Sequence, residues 1–268
     1  MCVYAKENPL FLSQCIDSVL AQTVLPDEWV IVKDGPLSGG LERVLGDLRF
    51  INELKVVALP ENITLGPARA EGLKAVRHEW VAIMDSDDIC MPDRFEKQCK
   101  MIEDDPQLGL VGGQIAEFKD DPGCVVASRS VPTGHREIVS FAKKRNPFNQ
   151  MTVMFRRVLA LDAGSYCYFP GFEDYDLWTR MIKSGVVCAN HPDVLVNARV
   201  GSGMYSRRRG VSYIRYEWRM QRQLFRLGFI NGFRFVANVA LRVPVRLLPE
   251  RCLLIIYNRF ARNQSIIR

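Results

Sequence analysis

The first half of the chain alternates between two hydrophobic rhythms. Residues 9–22 place Leu12, Cys15, Ile16, Val19 and Leu20 at i, i+3, i+4, i+7 and i+8, the one-sided stripe of an amphipathic helix. Residues 28–33, 54–59 and 80–84 are short apolar runs bounded by polar or turn residues, the pattern of buried strands. Between them, 41–50 and 66–76 read as helices, the second opened by Gly66-Pro67-Ala68-Arg69 with its proline in the first turn. Residues 1–4 read as the end of a strand whose beginning is absent. Strand and helix in such regular alternation predict an α/β fold with a Rossmann-like, mostly parallel central sheet covered by helices on both faces.

Beyond Pro92 the rhythm loosens. A helix is expected to about residue 105, then strands over 108–118 and 124–131, a helix over 135–144 and a strand over 151–155. Gly171-Phe172-Glu173-Asp174-Tyr175-Asp176-Leu177-Trp178 opens a further helix with Leu177, Met181 and Ile182 on its apolar side, and short strands follow over 186–189 and 194–199. This half reads as mixed α+β.

The stretch with most chemistry is Trp80-Val81-Ala82-Ile83-Met84-Asp85-Ser86-Asp87-Asp88. A buried strand runs into three carboxylates within four positions, at the end where open α/β sheets bind ligands. In extended backbone Asp85 and Asp87 share a face and Ser86 points away. Two ionised carboxylates so close repel unless a cation or donor offsets the charge, and a hard divalent ion, Mg²⁺ or Mn²⁺, would do so while leaving room for phosphate oxygens. Asp88 by itself reads as a solvated residue of the turn into the next helix. No Gly-x-Gly-x-x-Gly turn follows the first strand, where Ala5-Lys6-Glu7-Asn8 stands, and no Walker-type loop exists, which excludes the usual dinucleotide and P-loop sites.

The net charge of +6 over 268 residues conceals a division. Residues 207–268 hold 14 Arg, no Lys and two acids, a charge of +12, which leaves −6 for residues 1–206. Arg215, Arg219, Arg222 and Arg226 form one helical stripe, with Tyr213, Tyr216, Met220, Leu224 and Leu227 opposite. The apolar run after Phe229 is broken by Arg234, Arg242, Arg246 and a kinking Pro244. Such a segment lies on an anionic membrane surface, inserting Tyr213, Trp218 and Phe225, rather than crossing the bilayer; the alternative is packing on the core with the arginines solvated. No nucleic-acid-binding module accompanies the charge. The eight cysteines show no CxxC pair and read as reduced thiols of a cytosolic protein.

Asp85-Ser86-Asp87-Asp88 with Met91-Pro92-Asp93-Arg94-Phe95 and Gly171-Phe172-Glu173-Asp174 resembles the family 2 glycosyltransferases of GT-A fold. Val3-Tyr4-Ala5-Lys6-Glu7, Asp34-Gly35-Pro36, Gly66-Pro67-Ala68-Arg69 and Val111-Gly112-Gly113-Gln114 match in order and spacing across residues 1–210. The nearest likeness is to amylovoran-biosynthesis-type enzymes of bacterial exopolysaccharide or lipopolysaccharide assembly. The resemblance implies an inverting, metal-dependent transfer from a nucleotide-sugar donor to a saccharide acceptor, lipid-linked in such pathways. It assigns donor contacts to Val3, Tyr4, Asp34, Arg69 and Asp85, metal ligation to Asp87 with Asp85, and the catalytic base to Asp174 with Glu173 beside it. Gln150 and Arg199-Val200-Gly201 stand where many relatives carry histidines, so the resemblance supplies no third protein ligand for the metal.

The sequence therefore predicts a glycosyltransferase domain over 1–206 with a clipped first strand, and a helical, arginine-rich membrane-associating extension over 207–268. It would sit on the cytoplasmic membrane's inner face. The competing readings are a sugar-1-phosphate nucleotidyltransferase, whose basic Gly-rich N-terminal loop is missing, and a non-catalytic membrane-bound assembly partner.

Overall fold

In a computed structural model the protein is described over residues 1–51, 53–201 and 210–247. The chain runs β1 (Cys2–Tyr4), α1 (Pro9–Leu20), β2 (Trp29–Asp34), α2 (Gly39–Gly46), β3 (Leu54–Ala58), α3 (Leu65–Ala75), β4 (Trp80–Ala82), β5 (Ile89–Cys90) and α4 (Arg94–Asp104). It continues through β6 (Leu108–Phe118), β7 (Val125–Arg129), α5 (His135–Ala142), β8 (Met154–Arg156), α6 (Arg157–Asp162), α7 (Glu173–Lys183), β9 (Val187–Arg199), α8 (Val211–Arg226) and α9 (Gly232–Leu247).

Strands β1, β2 and β3 form a parallel sheet in that order, with Tyr4 level with Asp34. A second sheet has the order β4-β8-β6-β9-β5, with β7 also on β6. Here only β6 and β9 pair in parallel; β4–β8, β8–β6, β5–β9 and β6–β7 are antiparallel. The first three strands of the alternating half thus pair in parallel as expected, whereas its fourth, β4, pairs antiparallel with β8 in the mixed second sheet.

All 11 residues of β6 are buried, as in a strand covered on both faces. Successive residues of one strand serve opposite layers. Leu110, Phe155 and Cys188 join Trp178, Leu177 and Met181 of α7 in one core, while Val111, Met154 and Val196 face Leu12, Ile16 and Phe95 of α1 and α4 in the other.

Three expectations are corrected. Strand β4 stops at Ala82, although Ile83 still donates its N–H to Val153 (2.8 Å). The two strands expected over 186–189 and 194–199 are one, β9, which runs through Asn190-His191-Pro192-Asp193 by slipping register against β6 between Gly112 and Gln114. Its polar middle imitates a turn in the sequence. Within the arginine-rich segment, the described residues 210–247 form a helical hairpin packed on the core. Tyr213 of α8, expected to insert into a membrane, is instead buried with its ring 5.6 Å from that of Phe172. Fully buried Glu217 accepts from Arg242 (2.6 Å) and Arg246 (3.2 Å) of α9, and Asn238 donates to the Lys143 carbonyl (3.0 Å). No helix among the described residues is long and apolar enough to cross a membrane. Arg207, Arg208, Arg209 and residues 248–268 lie outside the described residues.

Candidate active site

The carboxyl ends of β1, β2 and β4 and the N-termini of α3 and α7 meet around Arg69. Gly66, in the first turn of α3, explains how closely they approach. A Cβ there would lie 2.3 Å from the Cys167 carbonyl oxygen and 2.9 Å from Cγ of Glu173, inside any van der Waals contact, so only glycine lets α3 dock on the start of α7. One turn later Arg69, 9% exposed, reaches Asp85 Oδ1 at 2.5 Å and lies with its guanidinium carbon 5.9 Å from the Tyr166 ring centre. Burial works against its charge, but Asp85, with Tyr166, Cys2 and Asp174 nearby, outweighs this and raises its pKa. Tyr166 accepts from Gln150 Nε2 (3.1 Å), and burial pushes its phenol pKa up.

Asp34 ends β2 level with Tyr4 and is buried. Its Oδ2 accepts from Asn62 Nδ2 (2.9 Å) and its Oδ1 from the Ile63 N–H (2.7 Å). The loop after β3 therefore fixes this carboxylate beside the sheet end. Gly35, at φ +86°, follows because the chain turns left-handed there and a Cβ would lie 2.8 Å from the Asn62 backbone nitrogen of that same loop. Val3 has no exposed surface, so its side chain is core and only its backbone faces this end of the sheet.

Residues 85–88 form a turn, with the Asp88 N–H facing the Asp85 carbonyl (3.5 Å). Exposure alternates through it: Asp85 and Asp87 are half-buried, Ser86 and Asp88 buried. Asp85 and Asp87 are the less buried acids of this turn, and the strand whose extended backbone was expected to put them on one face ends before them. The solvated reading of Asp88 is wrong. It is 3% exposed, and its Oδ1 accepts the backbone N–H of Arg199 (2.7 Å). Burial, then the charges of Asp87 and Asp85, hold its carboxyl well above the usual carboxylate range. Among the described residues no three His, Cys, Asp or Glu side chains converge on a common cation position. Asp85 and Asp87, both half-buried, carry the hard carboxylate oxygens that a divalent ion takes, with Asp85 Oδ1 also paired with Arg69.

Across Arg69 stands the start of α7. Asp174 accepts its neighbour's N–H, from Tyr175 (2.7 Å), on Oδ1 and Asn146 Nδ2 (2.6 Å) on Oδ2. Burial raises its pKa, while those two donors, Arg69 and Arg129 pull it down. Glu173 is raised too, chiefly by burial and then by Asp174. Two carboxyls with elevated pKa thus lie beside a fixed guanidinium, a grouping frequent at acid–base sites. Asp176, one turn on, is spoken for: 1% exposed, it pairs with Arg180 (2.8 Å). The structure thus brings together Tyr4, Asp34, Arg69, Asp85, Asp87, Glu173 and Asp174. It adds Asn62, Asn146 and Tyr166, single polar residues whose spacing carried no signal, together with Gln150 and Asp88, which the sequence singled out without assigning either to the site.

Comparison with known proteins shows the family. The profile described as Glycosyl transferase family 2 matches residues 1–162. An uncharacterized glycosyltransferase of Haemophilus influenzae is 45% identical over 98% of both chains. The amylovoran biosynthesis glycosyltransferase AmsE of Erwinia amylovora is 40% identical over 96% of both. The UDP-Gal:alpha-D-GlcNAc-diphosphoundecaprenol beta-1,3-galactosyltransferase of Escherichia coli is 32% identical over 98% of this chain and 95% of its own. Among solved structures, the mannosyltransferase PcManGT of Pyrobaculum calidifontis, in complex with GDP-Man and Mn2+, superposes with a TM-score of 0.63 at 18% identity, over 97% of this chain and 79% of that one. TarS 1-349 of S. aureus with UDP-GlcNAc does so at 0.63 and 15%, over 97% and 72%. The fold is GT-A, and the chain is a glycosyltransferase that belongs to glycosyl transferase family 2.

Proposed function

We propose that the protein is an inverting, divalent-metal-dependent glycosyltransferase that moves a sugar from a nucleotide-sugar donor to a lipid-linked saccharide in bacterial surface-polysaccharide assembly, docked on the inner face of the cytoplasmic membrane. The observation that carries this reading is Arg69, buried between the Asp85–Asp88 turn and the Glu173–Asp174 pair. It marks one cleft with a phosphate-handling side and a proton-accepting side.

On the donor side, Asp34 and the backbone at Val3 and Tyr4 lie where a nucleoside would rest on the sheet end. Asp85, oriented by Arg69, is placed for the ribose, and Asp87 with Asp85 would hold Mg²⁺ or Mn²⁺. Such an ion, when bound, offsets the charge that builds on a departing diphosphate. Arg69 adds a fixed positive charge on the same side and needs no reorganisation as the charge develops. On the acceptor side, Asp174 takes the proton of the attacking hydroxyl. The hydroxyl oxygen bonds to the anomeric carbon as the bond from that carbon to the diphosphate breaks, and the nucleoside diphosphate leaves. A single displacement of this kind inverts the anomeric centre. Glu173, its pKa raised chiefly by burial and then by the charge of Asp174, stands beside Asp174 as the base.

The relatives supply the context. One acts in amylovoran biosynthesis and another uses UDP-Gal with a diphosphoundecaprenol acceptor. The test is calorimetric binding of UDP, GDP, CDP and dTDP with and without Mn²⁺, followed by product anomer analysis with the matching donor sugar. Metal-dependent binding of one nucleotide and an inverted product support the reading; metal-independent binding or retained configuration defeats it.

A further inference from the structure

The last residue of β9, Arg199, is used more fully than any other arginine around the cleft. Its guanidinium carbon lies 3.8 Å from the ring centre of Phe11 on α1 and 4.5 Å from that of Phe118 at the end of β6. A planar cation between two aromatic faces is held in one orientation. Its edge is satisfied at the same time: Nε donates to the Asp87 carbonyl (3.1 Å), Nη2 to Gln14 Oε1 (2.8 Å) and Nη1 to the Lys119 carbonyl (3.4 Å). Its backbone N–H closes on Asp88 Oδ1 at 2.7 Å. One residue therefore ties the acidic turn to α1, β6 and β9. Two of its bonds fall on adjacent residues of that turn, and one fixes the peptide that carries the Asp87 side chain.

We infer that Arg199 is the positioning residue of the acidic turn, fixing the backbone that carries Asp87 before any cation arrives. The inference rests on the reading of Asp87 as a metal ligand. Three acids within four positions repel one another, and without a bound ion the turn would relax outward to separate them. The guanidinium on the Asp87 carbonyl and the backbone N–H on Asp88 Oδ1 supply the opposing attraction. A turn already held in place binds a cation without first being ordered, which favours affinity. The length and fork of the side chain matter as well as its charge. Lysine offers one ammonium, which cannot meet the Asp87 carbonyl and Gln14 together or lie flat between two rings.

The experiment compares the full-length protein with Arg199→Lys and Gln14→Met. Calorimetry measures nucleoside-diphosphate affinity across a Mn²⁺ series and in EDTA, alongside the melting temperature and the donor KM and kcat at saturating Mn²⁺. The wild type should need the least Mn²⁺. Arg199→Lys should raise the half-saturating Mn²⁺ concentration about tenfold or more, leave the affinity in EDTA unchanged, and recover most of its kcat when Mn²⁺ saturates. Gln14→Met removes one distal bond without touching the turn and should produce a smaller shift in the same direction. If both variants reach half-saturation at the wild-type Mn²⁺ concentration, Arg199 is not a positioning residue, although the metal reading survives. If Arg199→Lys loses affinity equally with and without Mn²⁺, its role is general structural support, and the inference fails. A wild type indifferent to Mn²⁺ overturns the metal reading and this inference with it.

Discussion

At the scale of single residues, Asp174 has its two oxygens on different donors, the Tyr175 N–H and Asn146 Nδ2. Asp174→Asn is nearly isosteric and leaves Arg69 and Asp85 in place, so donor affinity should persist while transfer falls by about 10²-fold or more; calorimetry paired with a product assay measures both. If Glu173→Gln is the more damaging change, the two roles are reversed. The pH dependence has a definite sign. A base works deprotonated, so the rate should climb with pH through the elevated Asp174 pKa. The groups around it are Arg69, Arg129, Glu173 and Asn146. Asn146 bonds the charged form and so lowers the pKa; Asn146→Ala removes that bond, and the acid limb of kcat should move to higher pH. An unmoved limb would show that Asn146 does not act on the base. On the metal side, Asp87→Asn should abolish Mn²⁺-dependent nucleotide binding while the melting temperature stays within a few degrees. The acids were legible in the sequence because Asp85 to Asp88 and Glu173–Asp174 are contiguous and stand at the ends of apolar runs. Asp88 was misread because its partner, Arg199, is 111 residues away, and spacing shows neighbours, not tertiary contacts. Asn146 and Tyr166 were invisible for the same reason.

At the scale of elements, the hydrophobic period located most helices and strands because it measures burial of one face. It failed where burial has no period. Strand β5 and helix α6 hold 2 and 6 residues, too few for a pattern, β4 stops two residues short of the expected run, and β9 crosses a polar stretch. The α8–α9 hairpin shows a different limit. Its stripes were legible, but Glu217 looked like one stray acid among arginines, whereas it lies wholly buried under Arg242 and Arg246. A buried ion cluster is a weak source of net stability, but removing one member leaves uncompensated charge, at about 3–5 kcal/mol. Glu217→Ala should therefore lower thermal stability markedly. The hairpin also touches the base-bearing helix through Tyr213 on Phe172 and holds the segment before Asn146 through Asn238 on the Lys143 carbonyl. Glu217→Ala should accordingly cost kcat more than donor affinity. Equal losses in both would mean that the hairpin braces the whole domain.

At the scale of the molecule, the hairpin's buried side explains what its exposed side is free to do. With Tyr213, Met220 and Leu224 spent on the core, α8 still presents Val211, Arg215, Trp218, Arg222 and Phe225 outward, apolar and cationic residues in alternation along one stripe. Helix α9 adds Phe233, Val236 and Leu241, at 84%, 64% and 73% exposure. The ring of Phe235 contacts both Trp218 (5.2 Å) and Phe225 (5.8 Å), joining the two helices into one face. Large apolar side chains exposed among arginines match the boundary of an anionic bilayer better than open water. Each arginine near such a surface contributes about 1 kcal/mol, and that share is screened by salt, whereas burial of Phe233 and Leu241 is not. Full-length protein should therefore co-sediment with anionic vesicles and weaken, without vanishing, as salt rises. Phe233→Ser with Leu241→Ser should reduce the binding that remains at high salt. Trp29 and Trp178 are buried and Trp80 lies under Arg156, so a blue shift of tryptophan emission on vesicle addition would come from Trp218, 47% exposed. Equal binding to neutral and anionic vesicles, or an emission spectrum indifferent to both, would rule out this face as the docking surface.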